Sequence, residues 1–119
     1  MAGIETRDFS APAETRKPEK TKVEIVNLAG GQIGRYTFQP GWRWSECIKP
    51  VAGTDTCQVD HVGYVVSGRL HVTHEDGSES DVRQGDVYRI APGHDAWVVG
   101  DEPCMTVEFQ GAANYARAN

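Results

Sequence analysis

The imidazole, thiol and indole side chains, which can bind a metal, move a proton or stack on a ligand, are few. They are four histidines (His61, His71, His74, His94), three cysteines (Cys47, Cys57, Cys104) and three tryptophans (Trp42, Trp44, Trp97). Thiolate and imidazole donors together favour zinc, copper or iron over magnesium or calcium. A cysteine beside a histidine can also act as nucleophile and base where the surroundings stabilise the thiolate. Cys47 and His61 form such a pair if the fold brings both inward. His94 follows a Pro92-Gly93 turn, which makes it either a rim contact for a ligand or a turn histidine. The three indoles can line a mouth that binds flat or apolar molecules, or can pack between sheets or across a dimer interface. No Gly-rich phosphate loop, zinc-ribbon spacing or Gly-x-Ser-x-Gly turn occurs.

The elements that must position these residues are short strands cut by turns. From Thr21 onward apolar segments alternate with turn residues: Val23–Asn27, Ile33–Phe38, Trp42–Ile48, His61–Val66, Leu70–Thr73, Ser80–Arg83, Val87–Ile90, Ala96–Val99 and Met105–Phe109. Asp76-Gly77 marks a hairpin, because that turn needs positive φ and glycine supplies it. Alternation turns Leu70 and Val72 inward and His71 outward, and it leaves His74 beside the hairpin turn, so solvent exposure is expected of both histidines. No sustained 3.6-residue apolar stripe is present. The pattern predicts an all-β sandwich or barrel of the jelly-roll type over residues 21–111. Residues 1–20 read as a polar, flexible arm, part of which could pair along a neighbouring subunit's sheet edge, and residues 112–119 as a C-terminal tail.

Composition bounds what such a domain can do. At 119 residues the chain holds one core, and 13 glycines with 6 prolines fit many turns. Twelve Lys+Arg against 17 Asp+Glu leave a net charge of -5, which argues against nucleic acid or an anionic membrane as partner. No apolar run approaches the roughly 20 residues that span a bilayer. No basic region followed by an apolar stretch opens the sequence, so an export signal is not expected. Three cysteines cannot all pair within one chain, and a reducing cytoplasm suits them.

With the Gly85-Asp86 and Pro92-Gly93 turns around an apolar strand, and six residues between His61 and Gly68, the chain resembles the cupin superfamily over roughly residues 23–110. The family's second motif lies over Gly85-Asp86-Val87-Tyr88-Arg89-Ile90-Ala91-Pro92-Gly93-His94-Asp95-Ala96. The end of its first motif falls on His61-Val62-Gly63-Tyr64-Val65-Val66-Ser67-Gly68, and its start can be laid on Pro40-Gly41-Trp42-Arg43-Trp44-Ser45-Glu46-Cys47. The resemblance implies a cupin jelly-roll barrel, a homodimer, and one divalent metal held by three histidines and a glutamate on inward strand positions.

Carried over residue by residue, the glutamate position becomes His61 and the third histidine position becomes Ala96, which has no donor atom. The His-x-His pair falls on Cys47 and Lys49 in the preferred register, which treats Trp42–Ile48 as a strand. A second register puts it on Asp55 and Cys57. The resemblance therefore implies a degenerate site built on His61 and Cys47, with His94, Asp95 or Glu46 as recruits for zinc, iron or copper. The expected function is binding of a small organic molecule inside the barrel, in a pocket lined by His61, Trp44, Val65, Ala96 and Val98 with His94 at the rim. His61 is its polar anchor or catalytic proton-transfer group. The alternatives are a metal-dependent oxygenase, isomerase or lyase acting on a small organic acid or aromatic compound, and a ligand-sensing module without turnover. Gly63 leaves room near the barrel centre, for a ligand or for a bulky neighbour.

Overall fold

A computed structural model describes residues 3–117. Residues 1–2 and 118–119, the ends of the expected arm and tail, lie outside the described residues. Nine strands and two single-turn helices follow in the order β1 (Glu14–Arg16), β2 (Thr21–Leu28), β3 (Gly31–Phe38), α1 (Trp44–Cys47), α2 (Lys49–Ala52), β4 (His61–Ser67), β5 (Arg69–His74), β6 (Glu79–Arg83), β7 (Val87–Ile90), β8 (His94–Val98) and β9 (Cys104–Gln110). A six-stranded antiparallel sheet in the order β1-β2-β3-β9-β4-β7 faces a three-stranded one in the order β6-β5-β8. The all-β jelly-roll architecture expected from the turn spacing is what forms.

The chain crosses from the large sheet to the small one at Gly68, between β4 and β5. Its φ of +81° and the closeness of the Pro103 carbonyl and Cys104 Cα leave no place for a Cβ there. Alternation then sorts side chains: His61, Gly63 and Val65 of β4 point inward, as do His94, Ala96 and Val98 of β8. On β9 the inward set is Cys104, Thr106 and Glu108, the polar half of the alternation, while Met105 and Val107 face outward. Two of the core's fully buried members, Val23 and Ile25, come from β2, and Trp42, Trp44, Tyr36 and Phe38 fill the middle.

Three expectations change. The expected strand over Trp42–Ile48 is instead helical turn α1 running into α2, with Pro50 in the first turn of α2 and Gly53 closing it in the left-handed conformation. Trp44, Cys47 and Ile48 are its buried residues, an i, i+3, i+4 set that a seven-residue window is too short to tell from alternation. Within the arm, β1 pairs with β2 of its own chain, and Arg35 lies over the Phe9 ring at 5.0 Å. In the tail, Ala112, Tyr115 and Ala116 are buried, so residues 111–117 form a strap across the core. No helix among the described residues is long and apolar enough to cross a membrane.

The space at Gly63 serves a bulky neighbour. A Cβ there would lie 2.7 Å from Tyr88 Oη and 2.7 Å from the Val107 carbonyl. Gly63→Ala should therefore destabilise the protein by about 1–3 kcal/mol through overpacking, read from the urea midpoint. An unchanged midpoint would show that Tyr88 has room to move.

Candidate functional site

Three buried donors converge inside the barrel: Cys57 from the loop before β4, His61 at the start of β4 and His94 at the start of β8. Their ligand atoms all lie within 4.8 Å of one another. The loop is held against β8 by backbone bonds: Cys57 N–H donates to the His94 carbonyl at 2.8 Å, and Gly93 N–H to the Cys57 carbonyl at 2.7 Å. Cys57 Sγ stands 3.6 Å from His61 Nε2, and the two imidazole centroids are 5.1 Å apart.

The other nitrogen of each ring is committed. His61 Nδ1 lies 2.5 Å from Glu108 Oε1 and donates to that carboxylate. His94 Nδ1 donates to the Ala91 carbonyl at 2.7 Å. Both bonds leave Nε2 to face Cys57, the arrangement that orients and sharpens metal-ligating histidines. The second oxygen of Glu108 accepts from Tyr88 Oη at 2.5 Å, so the buried carboxylate is satisfied on both sides.

The donor set fits a metal. Thiolate and imidazole ligands at about 2.3 and 2.0–2.1 Å around a tetrahedral centre stand roughly 3.6 Å apart. The Cys57–His61 separation of 3.6 Å is that spacing.

Electrostatics separates Cys57 from the other thiols. Burial pushes its pKa up, but hydrogen bonds from His61 and His94 outweigh this and bring it from 9.0 to about 6. Burial works against charge on His61 too, yet the Glu108 carboxylate and the Cys57 thiolate raise it from 6.5 to about 10. Burial alone pushes Cys104 up to about 12, and burial also raises Cys47. Burial and the Glu108 charge raise Tyr88 well above its ordinary value, keeping it a neutral donor.

Beside the donors lies a cavity of about 30 Å³, walled by Tyr36, Phe38, Trp42, Trp44, Ala96 and Tyr115 among others. That volume is room for one or two waters. Two of these walls carry buried N–H groups with no partner, Trp42 Nε1 and Trp44 Nε1, while the Tyr36 hydroxyl is engaged with Glu108. Buried donors are rarely left unpaired, so the two indoles are open to a hydrogen-bond acceptor.

Of the residues expected at the site, His61, His94, Trp44 and Ala96 do line this cavity. Val65 and Val98 pack in the surrounding core. Cys47 does not join the donors: it sits on α1 with Sγ 3.6 Å from Glu19 Oε2. Cys57 takes its place, because the helical turn at 44–47 removes the strand alternation that would have aimed Cys47 at His61. Asp95 points outward, its side chain bonded to the Ser45 N–H, and Glu46 is exposed on α1. His71 also faces outward, though partly covered, with Nδ1 2.6 Å from Asp81 Oδ1 and its ring 4.8 Å from that of Trp97. His74 Nε2 donates to the Pro92 carbonyl. Glu108 was not anticipated; its signal was a carboxylate at an inward-parity position of the last strand.

The family model for the cupin domain matches residues 34–109. The chain belongs to the cupin family. A search of curated proteins gave no match. Among solved structures, this cupin is similar to a protein of unknown function from Rhizobium leguminosarum (23% identity, TM-score 0.64, covering 90% of this chain and 95% of that one). It is similar to the Drosophila melanogaster CENP-C cupin domain (14%, TM-score 0.60, 89% and 84%). It also resembles a Lactobacillus farciminis oxalate decarboxylase in its formate complex (14%, TM-score 0.61), covering 91% of this chain but 33% of that one. At these identities the likeness is one of fold. His94 lies two residues before Ala96, on the same inward face of β8.

The charge pattern predicts a stability window for the metal-free protein. Cys57, depressed in the fold, stabilises above 9.0 and loses that contribution as pH falls through about 6. His61, raised in the fold, stabilises below 6.5 and loses its contribution as pH rises through about 10. Urea midpoints in chelator should be flat between pH 6.5 and 9.0, where the two contributions change in opposite senses and cancel, and should fall toward about 6 and toward about 10. In Cys57→Ser the rising contribution is lost, so the midpoint should fall steadily as pH rises from 6.5; a retained plateau in that variant would refute the assignment.

Proposed function

We propose that this cupin is a small-molecule-binding protein whose barrel interior holds one divalent transition metal on Cys57, His61 and His94. The observation that supports it is the convergence of three buried donors, two of them imidazoles with Nδ1 already engaged. Zinc, iron or copper matches a thiolate–imidazole set. Three protein ligands leave a position open, and a bound ion there would polarise a ligand oxygen. The chain's own residues do the rest. Glu108 fixes His61 through Nδ1, Tyr88 holds Glu108 in place, and the unpartnered N–H groups of Trp42 and Trp44 offer hydrogen bonds to an acceptor among apolar walls.

A second reading has its own support: the lowered pKa of Cys57 suits a thiolate nucleophile paired with His61 without metal. Protein purified without a histidine tag should carry close to one zinc, iron or copper per chain and lose it in Cys57→Ala and His94→Ala. Glu108→Gln should weaken metal affinity about 10–100-fold, the usual cost of a lost second partner. Protein that stays metal-free after reconstitution, yet is alkylated by iodoacetamide at Cys57 with a midpoint near pH 6, would replace the metal reading with the thiolate one.

The reading includes a homodimer. Val87, Phe109 and Tyr64 are exposed on adjacent strands of one outer sheet face, an apolar patch of the kind that association covers. It also includes a cytoplasmic location, where three buried free thiols stay reduced. Light scattering at micromolar concentration should give twice 13.1 kDa; a mass near 13.1 kDa removes the dimer.

A further inference from the structure

The cavity beside the metal donors is too small for an organic ring, and the reason is a residue of the same chain. Tyr115 projects from the strap into the barrel and is 3% exposed. Its ring stacks on Tyr36 with centroids 4.7 Å apart and 14° between planes. It meets Phe38 edge-on at 6.4 Å and His61 at 5.3 Å. A flat ring is thus held on one face by a parallel phenol and at its edges by a phenyl and a metal-donor imidazole, the geometry in which aromatic rings attract one another.

Among the described residues, Arg16 is the side chain outside the strap that hydrogen-bonds its backbone. Arg16 of β1 donates Nη1 to the carbonyls of Ala112 at 3.1 Å and Tyr115 at 2.5 Å, and Nη2 to that of Ala113 at 3.2 Å. The strap begins at Gly111, at φ +107°, where a Cβ would lie 2.8 Å from Val59 Cγ1 and 2.9 Å from the Asp60 carbonyl. It ends beyond Ala116, which holds a left-handed φ of +54° that an alanine adopts at a cost. A segment whose backbone is tied by a turn and one guanidinium, and otherwise held by side-chain packing, opens more readily than a strand paired along its length.

We propose that the slot filled by the Tyr115 ring is the ligand subsite of this cupin, that it takes a small phenol-class molecule, and that the Arg16-latched strap competes for it. This rests on the reading of the barrel interior as a binding pocket. The incoming ring replaces the Tyr115 ring against Tyr36 and Phe38. Its oxygen enters the cavity that Trp42 and Trp44 wall with unpartnered N–H groups and that His61 and His94 also line. Binding then reads the fraction of molecules with the strap open, so releasing the latch raises apparent affinity without a new contact.

The probe is 4-methylphenol, the side chain of tyrosine itself, titrated calorimetrically into the full zinc-reconstituted chain. The comparison compound, 4-methylcyclohexanol, has the same heavy-atom count but no flat ring. Arg16→Ala should bind 4-methylphenol about tenfold more tightly than the native chain, and Tyr115→Ala by at least as much. The cyclohexanol should show no comparable gain in either variant. Equal gains for both compounds, or none for the phenol in Arg16→Ala, would overturn the proposal. Should Tyr115→Ala fail to unfold cooperatively, Tyr115→Leu fills the same depth without a flat ring, and Arg16→Ala alone still decides. Zinc titration of the same variants keeps the two readings apart. Zinc retained without a phenol gain defeats the subsite only, and a phenol gain without zinc binding defeats the metal reading only.

Discussion

The pairing of His61 with Glu108 is the constraint around which the interior is organised. A carboxylate 3% exposed in a barrel core is tolerable only with both oxygens engaged, because an unpaired buried charge costs several kcal/mol. Glu108 meets that demand with His61 on one oxygen and Tyr88 on the other. Tyr88 reaches it because residue 63 has no side chain to block the phenol. The pair also determines which histidine nitrogen faces inward: with Nδ1 given to the carboxylate, Nε2 is left toward Cys57. A stabilising requirement and an orientation requirement are met by one hydrogen bond.

Much of the architecture is legible in the sequence because turns speak locally. Asp76-Gly77 and Pro92-Gly93 each bound strands that form where the alternation placed them. His61 and His94 are likewise recoverable, since a strand start next to a turn of fixed type leaves little freedom in side-chain direction. Cys47 and Cys57 are a different case. Choosing between them depends on whether residues 42–48 run as a strand or a helical turn, and that segment is too short for its period to decide. Tertiary packing decides instead, by burying Trp44, Cys47 and Ile48 together.

Glu108 and Tyr115 were illegible for a related reason. The alternation on β9 invites the apolar residues inward, yet the inner face takes Thr106 and Glu108 because the partners that satisfy a carboxylate lie across the sheet on β4 and β7. Hydrophobic patterning assumes that polar means wet, and a site breaks that assumption. Tyr115 belongs to a segment with no periodicity at all. Its burial follows from a distant arginine on β1, a contact across 99 residues that no local window contains.

The mechanical layout of the donors follows from where each one sits. Cys57 is on a loop, which by itself would be a poor platform for a metal ligand or a reactive thiol. Two backbone bonds to the Gly93–His94 segment tie that loop to the start of β8, so Cys57 and His94 move as one unit. His61 is fixed separately, through Glu108 to β9 and Tyr88 to β7. The donors therefore come from both sheets, and Tyr115 lies beside both groups: its ring meets His61 edge-on at 5.3 Å, and its hydroxyl feels the Cys57 charge. A change at that ring is therefore felt by His61 and by Cys57 together, so the strap and the donor geometry are coupled.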